Sequence, residues 1–495
     1  MTGFVRTSLG ACLGPNPRQR GRCQNFKPEA QLFQDRVRYP TKIHIGIVKK
    51  KGYENGPGWC SVGRFEGPNA YQRYSCSAQS ADSLQQLEHH ENMSMPVSDT
   101  WLGRMWLNLL GDYLYYAPSF LMPTLTGGAV IGAVFGNEIL QSVANLALFD
   151  NHAGIRNALL FVSTHSVWSK VSALGFSLLT VWYAFFVLPV LDLLLGSDLR
   201  NPQTDEISKT SEMIYRGILY LYVPFHMIVM TFACHLLSVY DVMPFPWIGI
   251  VMSCGTANGI AFTVAHELVH GHKKIDKLLS NALLATLCYM HWSKSHLIHH
   301  VKVATPEDPT TAYKGESIYH FIPRSVIGNT KDAYEAEALR RKKKGIPFFD
   351  ARNKALWWIT IPACIASASY LVYGIKGLCM FLGQAAVGII MLEVVNYLEH
   401  YGLLRKKLAD GRYEKTAPKH SWNASTVYTN SVTFKLQRHS DHHAHEGTPY
   451  YLLKNIKDAP QLPAGYPAMM LLCLIPPLFF KVMDPLVDAV EASEA

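Results

Sequence analysis

The histidines of this chain are concentrated in short stretches whose spacing suits metal binding. KLQRHSDHHAHE places His439, His442 and His443 at positions i, i+3 and i+4, which share one face of a helix. AHELVHGHKK repeats the i, i+4 spacing with His266 and His270. Because neutral imidazole is a common ligand for iron, copper, zinc and nickel, both stretches predict metal ligands.

Two further stretches enlarge this set. HWSKSHLIHH contains His291, His296, His299 and His300, and NYLEHYG contains His400. His272 and His445 each lie two positions beyond one of the histidines already named. Counting these two, twelve of the 21 histidines of the chain fall in these stretches. More than six clustered histidines exceed what one ion needs, so the sequence predicts two metal ions.

Two alternatives compete with that interpretation. HExxH on a helix is known from zinc proteases, where the glutamate is the general base. Such a protease needs one further ligand and an open zinc position, so the number of histidines argues against it. A non-catalytic membrane metal-binding or transport protein is the second alternative, and it predicts bound metal without catalytic turnover. His272 and His445 would point away from the ligating faces of their helices, so we expect them to be solvated or to support the ligands.

The elements that must position these histidines are membrane helices. The chain is 49% hydrophobic and only 17% charged, and it concentrates apolar residues in runs of about twenty, enough to cross a hydrocarbon core of about 30 Å. This predicts an all-α polytopic membrane protein with about six transmembrane helices, at roughly 114–135, 173–196, 213–239, 245–265, 356–374 and 377–398.

The distribution of positive charge orients the spans. The net charge of +9 lies in blocks between apolar runs, which is typical of membrane topology and not of nucleic-acid binding. KKIDK follows the fourth span, RRKKK precedes the fifth and RKK follows the sixth. The positive-inside tendency places all three blocks, and with them every histidine stretch, on the cytoplasmic face.

The chain divides into three parts by composition. We expect residues 1–100 to form a poorly ordered extension. Its basic start, with no acidic residue before Glu29, resembles an organelle targeting peptide, and an untargeted extension is the alternative. Residues 101–487 form the membrane domain, and 488–495 a C-terminal tail. The ten cysteines include no CxxC pair, so we expect neither a disulfide framework nor a fused ferredoxin or rubredoxin module.

Several longer phrases carry a family resemblance. HExxH, the second histidine box followed by VATPEDP, LEVVNYLEHYGLLR, LQRHSDHHAH and LPAGYPAMMLLCLIPPLFFKVMDP resemble the integral-membrane alkane hydroxylases, the alkane 1-monooxygenases. Membrane fatty-acid desaturases and hydroxylases are the wider relatives. The resemblance covers about residues 101–487, within which about 128–170 looks like an insertion.

The resemblance implies O₂-dependent terminal hydroxylation of medium- or long-chain n-alkanes to primary alcohols at a non-haem di-iron centre in the lipid bilayer. A rubredoxin-like or ferredoxin-like protein would supply the electrons. A fatty-acyl desaturase or hydroxylase is the alternative within the superfamily. The implied iron ligands are His266, His270, His296, His299, His300, His400, His439, His442 and His443.

The ninth of these ligands departs from the family pattern. The alkane hydroxylases usually have a histidine where this chain has Ser295, and here the histidine stands one place later, at His296. On a helix His296 shares a face with His299 and His300, whereas position 295 is rotated by about 100°. His291 is the rival candidate.

Five carboxylates lie close to these stretches. We expect Glu267, Asp308, Glu399 and Asp441 to accept hydrogen bonds from imidazole N–H groups and so to fix the tautomer of the ligands. Glu393 lies within the sixth predicted span, where a carboxylate indicates either function or helix pairing.

Overall fold

A computed structural model describes residues 100–146, 152–202 and 208–493 of the chain, and the predicted extension lies almost wholly outside these residues. Within the described ranges every regular element is a helix, which confirms the all-α prediction. The helices are α1 (Trp101–Leu114), α2 (Leu121–Ala144), α3 (Ala153–Thr164), α4 (Ser166–Ser177), α5 (Leu179–Leu195), α6 (Lys209–Val239), α7 (Pro244–His270), α8 (Lys274–Thr286), α9 (Trp292–Lys302), α10 (Ile318–Lys344), α11 (Lys354–His400), α12 (Val427–Val432), α13 (His439–Ala444), α14 (Tyr466–Cys473) and α15 (Pro476–Ser493).

Several of these helices are long and apolar enough to cross a membrane. By length and composition they are Ala117–Ala144, which includes α2, together with α6, α7 and α11. The pair α4 and α5, bent by 59°, is a further candidate if it counts as one broken span. These helices cover the six apolar runs that the sequence singled out, but the number of six spans is not confirmed, and the insertion at 128–170 stays a prediction.

The longest helix, α11, is broken near its middle. Gly374 has φ +65°, a conformation that side-chain-bearing residues rarely adopt. A Cβ atom added to Gly377 would lie 2.8 Å from the carbonyl oxygen of Ser369, although eight residues of continuous helix would span about 12 Å. The chain therefore turns back at Gly374, between the two runs predicted as the fifth and sixth spans.

Helix α7 lies at the centre of the bundle because small residues allow its neighbours to approach closely. A Cβ atom on Gly255 would overlap the side chain of Val387 in α11. Buried Asn258 accepts a hydrogen bond at Oδ1 from His226 Nε2 of α6 over 3.0 Å, and its Nδ2 donates to the backbone oxygen of Gln384. These contacts hold α6, α7 and α11 together and bring the ends of α7 and α11, with their histidines, to the same region.

Two further apolar segments are shorter or are interrupted by proline. The run at 279–290 is too short to span and forms most of α8, which packs on α7 and α11. The run LLCLIPPLFF is interrupted at its prolines: α14 ends at Cys473 and α15 begins at Pro476.

Candidate metal centre

The nine predicted ligands come together as two groups of histidines. In each group every residue offers one ring nitrogen, and these nitrogens all lie within 4.8 Å of one another. The five-histidine group is His266, His270, His296, His300 and His442. The four-histidine group is His299, His400, His439 and His443.

Helical geometry distributes neighbouring histidines between the groups. On α9, His296 and His300 are one turn apart and belong to the five-histidine group, whereas His299 is rotated by about 100° from His300 and belongs to the other. On α13, His439 and His443 enter the four-histidine group, and His442 faces the first group. Both short helices therefore lie between the two groups and contribute to each.

The distances within each group fit metal coordination. Two nitrogens bound at right angles to one ion, about 2.0–2.1 Å from it, would be about 3 Å apart. The Nε2–Nε2 distances are 2.9 Å for His270–His296, 3.1 Å for His296–His300, 3.1 Å for His300–His442, 3.2 Å for His400–His439, 2.9 Å for His439–His443 and 3.3 Å for His299–His443.

Hydrogen bonding cannot satisfy so many nitrogens at these distances, because a pair of neutral imidazoles shares only one proton. His266 Nε2 is buried without a hydrogen-bond partner in the described part of the chain. A cation that all of these lone pairs face would remove this conflict. The residues present thus fit one metal ion in each group.

The protonation state of the histidines also suits metal binding. Burial, together with the neighbouring imidazoles, holds the pKa of His296, His439, His442 and His443 well below the ordinary value for histidine. Since a lowered pKa means that the proton is lost at neutral pH, these rings are neutral there. The neutral ring is the form that binds metals.

Asp308 fixes one ring of the four-histidine group. His299 Nδ1 donates to Asp308 Oδ2 over 2.9 Å, and the hydroxyl of Thr311 donates to the same oxygen over 2.7 Å. Burial alone raises the pKa of Asp308, but the interaction with His299 and the hydrogen bonds outweigh it and lower the pKa to about 2. The ionised carboxylate therefore holds the proton of His299 on Nδ1 and turns Nε2 toward the group.

Glu399 occupies a different position from the one predicted. Its Oε2 lies 3.3 Å from His439 Nε2, the nitrogen that faces the four-histidine group, and its Oε1 accepts a hydrogen bond of 2.9 Å from the hydroxyl of Tyr466. Glu399 is thus placed beside the centre of the group and not behind an imidazole.

The hydrogen bonds of Glu267 and Asp441 go to groups other than the nine histidines. Glu267 Oε1 accepts from the backbone N–H of Tyr450, and Asp441 accepts from His445 Nδ1 and from the backbone N–H of Lys454. These contacts tie α7 and α13 to the segment at 450–454. The predicted role of orienting a ligand therefore has contacts to support it at Asp308, whereas Asp441 orients His445.

The remaining histidine candidates lie outside both groups. His272 and His445 are exposed, and His291 Nε2 lies 3.0 Å from the Thr330 hydroxyl. Ser295 is buried and donates to the backbone oxygen of Trp292. Of the rival candidates for the ninth ligand, His296 is the one that lies among the other histidines.

An apolar cavity ends at the two groups. Its lining is mainly apolar with a few polar side chains, as is usual for small-molecule sites. His266, His296, His299 and His439 form its polar end. Along α7 the cavity reaches from His266 to Thr256, ten residues or about 15 Å into the membrane-spanning part.

Sequence reasoning missed the residues that close and support this site. Leu188 of α5 and Met470 of α14 line the cavity, although nothing in their apolar segments marks them. Arg438, next to the third box, is fully buried and donates to the backbone oxygens of Leu453 and Asp198. An arginine in a polar stretch is normally solvated, so the sequence contained little indication that Arg438 is buried. Its position next to the clustered histidines was the one feature that could have suggested it.

Comparison with known proteins identifies the relatives of the chain. The family model for fatty acid desaturases matches residues 244–472. The chain is 40% identical to alkane 1-monooxygenase 1 of Pseudomonas aeruginosa over 319 residues, 63% of this chain and 82% of that protein. It is 40% identical to alkane 1-monooxygenase of Acinetobacter baylyi over 300 residues, 60% of this chain and 74% of that protein.

The chain belongs to the alkane 1-monooxygenase family. A more distant similarity, 28% identity over 247 residues, joins it to the hydroxylase component of the xylene/toluene monooxygenase of Pseudomonas putida. Like the other members of the alkane 1-monooxygenase family, the chain is an oxidoreductase, and with its long apolar helices it is an integral membrane protein. Its histidine groups are suited to bind metal.

Proposed function

We propose that this protein uses O₂ to hydroxylate the terminal carbon of medium- or long-chain n-alkanes, giving primary alcohols, at two iron ions held by the nine histidines. The carrying observation is the apolar cavity, one end of which is formed by histidines of both groups. An n-alkane offers no hydrogen bond, so its binding site must be apolar and its orientation must come from shape.

The five-histidine and four-histidine groups would each hold one iron. Imidazole-rich sites suit iron as well as other transition metals, and family membership favours iron. When bound, the two ions supply the activation of O₂ and the oxidation of the C–H bond. The protein supplies neutral imidazoles, the carboxylate of Asp308 behind His299, and the carboxylate of Glu399 beside His439.

The cavity would perform the selection and orientation of the substrate. Gly259, Ile260 and Leu392 border it within the membrane-spanning helices, where an alkane dissolved in the bilayer can reach it. A chain lying along α7 would place one end against the histidines and leave its other carbons among apolar side chains. This arrangement favours attack at a terminal carbon and keeps water away from the reacting end.

Positive charge surrounds the histidine end of the bundle. Lys273 and Lys274 follow the end of α7, and Arg405 to Lys407 follow the end of α11. The positive-inside tendency puts this end in the cytoplasm. The basic face would dock a soluble, acidic electron donor of the rubredoxin or ferredoxin type, because opposite charges accelerate encounter and fix orientation.

Product analysis tests the proposal. Membranes containing the protein would receive NADH, a rubredoxin with its reductase, O₂ and a series of n-alkanes, and terminal alcohols would be measured. The His439→Ala variant in the same membranes is the control for background oxidation. Fatty-acyl substrates in parallel reactions test the alternative of a desaturase or acyl hydroxylase, which the family match to fatty acid desaturases keeps in view.

Each outcome of this experiment has a definite meaning. Alcohols that form from alkanes with the unmodified protein, but not with the His439→Ala variant, support the proposal. Desaturated or hydroxylated acyl products without alkane oxidation would assign the protein to the alternative. Bound metal without any O₂-dependent product would make it a non-catalytic metal-binding protein.

A further inference from the structure

A row of buried aromatic rings leads away from the cavity end where the histidines lie. Trp292 lines the cavity and stacks on His296, with ring centroids 4.5 Å apart and planes 20° from parallel. Phe262 contacts Trp292 at 5.8 Å and Tyr289 at 6.2 Å. Neither Trp292 nor Tyr289 belongs to the predicted ligands, and each is almost fully buried.

Tyr289 has a proton acceptor. Its hydroxyl donates to Glu393 Oε1 over 3.2 Å. The other oxygen of Glu393 accepts from the Ser325 hydroxyl over 2.6 Å and from the side-chain amide of Asn396 over 3.2 Å. Glu393 thus accepts hydrogen bonds from three side-chain donors within the buried part of the bundle. Because Oε1 of Glu393 lies within hydrogen-bond distance of the Tyr289 hydroxyl, it is positioned to accept the phenolic proton.

The row continues to a half-buried residue. The ring of His291 lies 4.6 Å from the ring of Tyr289, and the ring of Tyr334 on α10 lies 5.9 Å from that of His291. Tyr334 is only partly buried. In addition, Cys288, just before Tyr289, has φ +53°, an unfavourable conformation for a residue with a side chain. Such conformations are retained where the surrounding structure imposes them, and they cluster at functional sites.

We propose that Trp292 and Tyr289 form an electron relay that discharges the O₂-activating centre when no substrate fills the cavity, with Glu393 accepting the phenolic proton. The inference rests on the proposed O₂ chemistry, and it adds a protective function that hydroxylation itself does not require.

Two passes of the relay discharge the centre, because hydroxylation uses two oxidising equivalents, and the two electrons with two protons from solvent convert the unused oxygen atom to water. Each pass moves one electron. Trp292 gives one electron to the oxidised centre, and Tyr289 gives one electron to Trp292. The phenolic O–H bond of Tyr289 breaks, its proton passes to Glu393, and a neutral tyrosyl radical remains. One electron from the electron donor of the enzyme, arriving through Tyr334, and the proton from Glu393 then restore the phenol.

The proton transfer is what makes Tyr289 suitable as the end of the relay. Burial holds the pKa of Tyr289 well above its ordinary value, so the phenol is protonated before oxidation. Loss of an electron without loss of the proton would leave a positive charge in a buried site, which is strongly unfavourable. A hydrogen-bonded carboxylate removes that charge in the same step.

The relay would protect oxidisable side chains of the cavity. Met122, Met391 and Met470 line it, and methionine is readily converted to its sulfoxide. An oxidising centre without substrate would attack these thioethers. With the relay in place, the oxidising equivalent leaves through Trp292 before that reaction occurs.

The test compares unmodified protein with Tyr289→Phe, which keeps the ring and removes only the hydroxyl. Iron-loaded, reduced protein would be exposed to O₂ without alkane, frozen within milliseconds and examined by electron paramagnetic resonance. We expect a tyrosyl radical, identified by its narrowing when ring-deuterated tyrosine is incorporated. In Tyr289→Phe we expect that signal to fall at least tenfold, and mass spectrometry to find about threefold more methionine sulfoxide at the cavity positions.

A matched control is available on α11. Tyr397 is fully buried and donates to the backbone oxygen of Glu316, away from the row. Tyr397→Phe should leave radical yield and methionine oxidation unchanged. Glu393→Gln, which removes the proton acceptor, should lower the radical yield as Tyr289→Phe does. Initial alkane hydroxylation by Tyr289→Phe should stay within about twofold of the unmodified rate.

The outcomes separate this inference from the proposed function. Alkane hydroxylation together with an unchanged radical or unchanged methionine oxidation in Tyr289→Phe would overturn the relay and leave the proposed function standing. An equal loss of radical in Tyr397→Phe would also overturn it. Unmodified protein that neither hydroxylates alkane nor reduces O₂ would overturn both, because the relay would then have no oxidant.

Discussion

The two histidine groups differ in the carboxylates that accompany them. In the four-histidine group, buried Asp308 binds the outer nitrogen of His299, and Glu399 lies beside the inner nitrogen of His439. In the five-histidine group the corresponding contact is weak, since Glu446 is half exposed and its Oε1 lies 3.8 Å from His270 Nδ1. One group therefore relies on the number of imidazoles, and the other combines fewer imidazoles with negative charge.

This difference has a physical consequence for metal binding. A carboxylate behind an imidazole makes the ring a stronger donor and fixes its orientation, so Asp308 can compensate for one ligand fewer. A partly solvated carboxylate at 3.8 Å contributes little, because water screens its charge. We therefore expect the two proposed irons to respond differently to changes in acidic residues and similarly to loss of a histidine.

The largest effects should follow removal of one histidine from each group. His439→Ala in the four-histidine group and His442→Ala in the five-histidine group should each abolish alkane hydroxylation, because both proposed irons are needed. Membrane insertion should remain, since the spans are unchanged. Alcohol formation and iron content of purified protein, about two irons per chain before mutation, are the measurements.

The control for these variants is His445→Ala. This side chain is exposed and hydrogen-bonded to Asp441, outside both groups, so substantial activity should persist. An equal loss of alcohol formation in all three variants would show that His445 is as important as His439 and His442, and that the ligands on α13 are wrongly assigned. Stoichiometric zinc in an active preparation would contradict the assignment of iron.

The next effect concerns the second histidine stretch, where Ser295, His296 and His291 are the positions compared for the ninth ligand. His296→Ala should lose iron and activity together, whereas Ser295→Ala should be nearly silent because the hydroxyl of Ser295 only caps a local turn. His291→Ala should keep both irons, since His291 contacts Thr330. Iron counts on the three variants decide; full iron and normal turnover in His296→Ala would remove His296 from the five-histidine group.

A smaller effect should distinguish the groups by their carboxylates. Asp308→Asn keeps an acceptor for His299 but removes the charge, and should weaken iron binding in the four-histidine group about 10-fold or more. Glu446→Gln should change iron affinity less than about twofold. Chelator titration of iron-loaded protein measures both. Similar losses in the two variants would refute the proposed difference between the groups.

The smallest effect should come from the carboxylate on the far side of α13. Asp441→Asn should reduce activity by no more than about threefold, because Asp441 supports His445 and the backbone of Lys454. The rate of alcohol formation under saturating donor is the readout. A tenfold or larger loss of rate would instead support the sequence-based expectation that Asp441 orients a ligand.

Local periodicity explains why so much of this molecule could be predicted from sequence. A run of apolar residues long enough for a bilayer forms a helix because its backbone groups must bond to one another there. The spacing i, i+3, i+4 places His439, His442 and His443 on one side of α13 because of the helical repeat. Family phrases added the nature of the chemistry, and the helical repeat also favoured His296 over Ser295.

Contacts between distant segments were beyond the reach of that reasoning. The sequence treated the three histidines of α13 as one face, but the two groups divide them, because α7 and α9 approach His442 while α11 approaches His439. The roles of the carboxylates depend in the same way on partners far along the chain, such as Tyr466 beside Glu399 and Tyr450 beside Glu267.

The amino-acid sequence by itself thus determined the all-helical class, the positions of the apolar runs and the set of histidines that could serve as ligands, since each depends on spacing within one element. Tertiary structure decided how the histidines are shared between two groups, which carboxylate serves which group, and where α5 and α14 close the cavity. Those features arise from the packing of helices against one another, and packing depends on side-chain shape across the whole bundle.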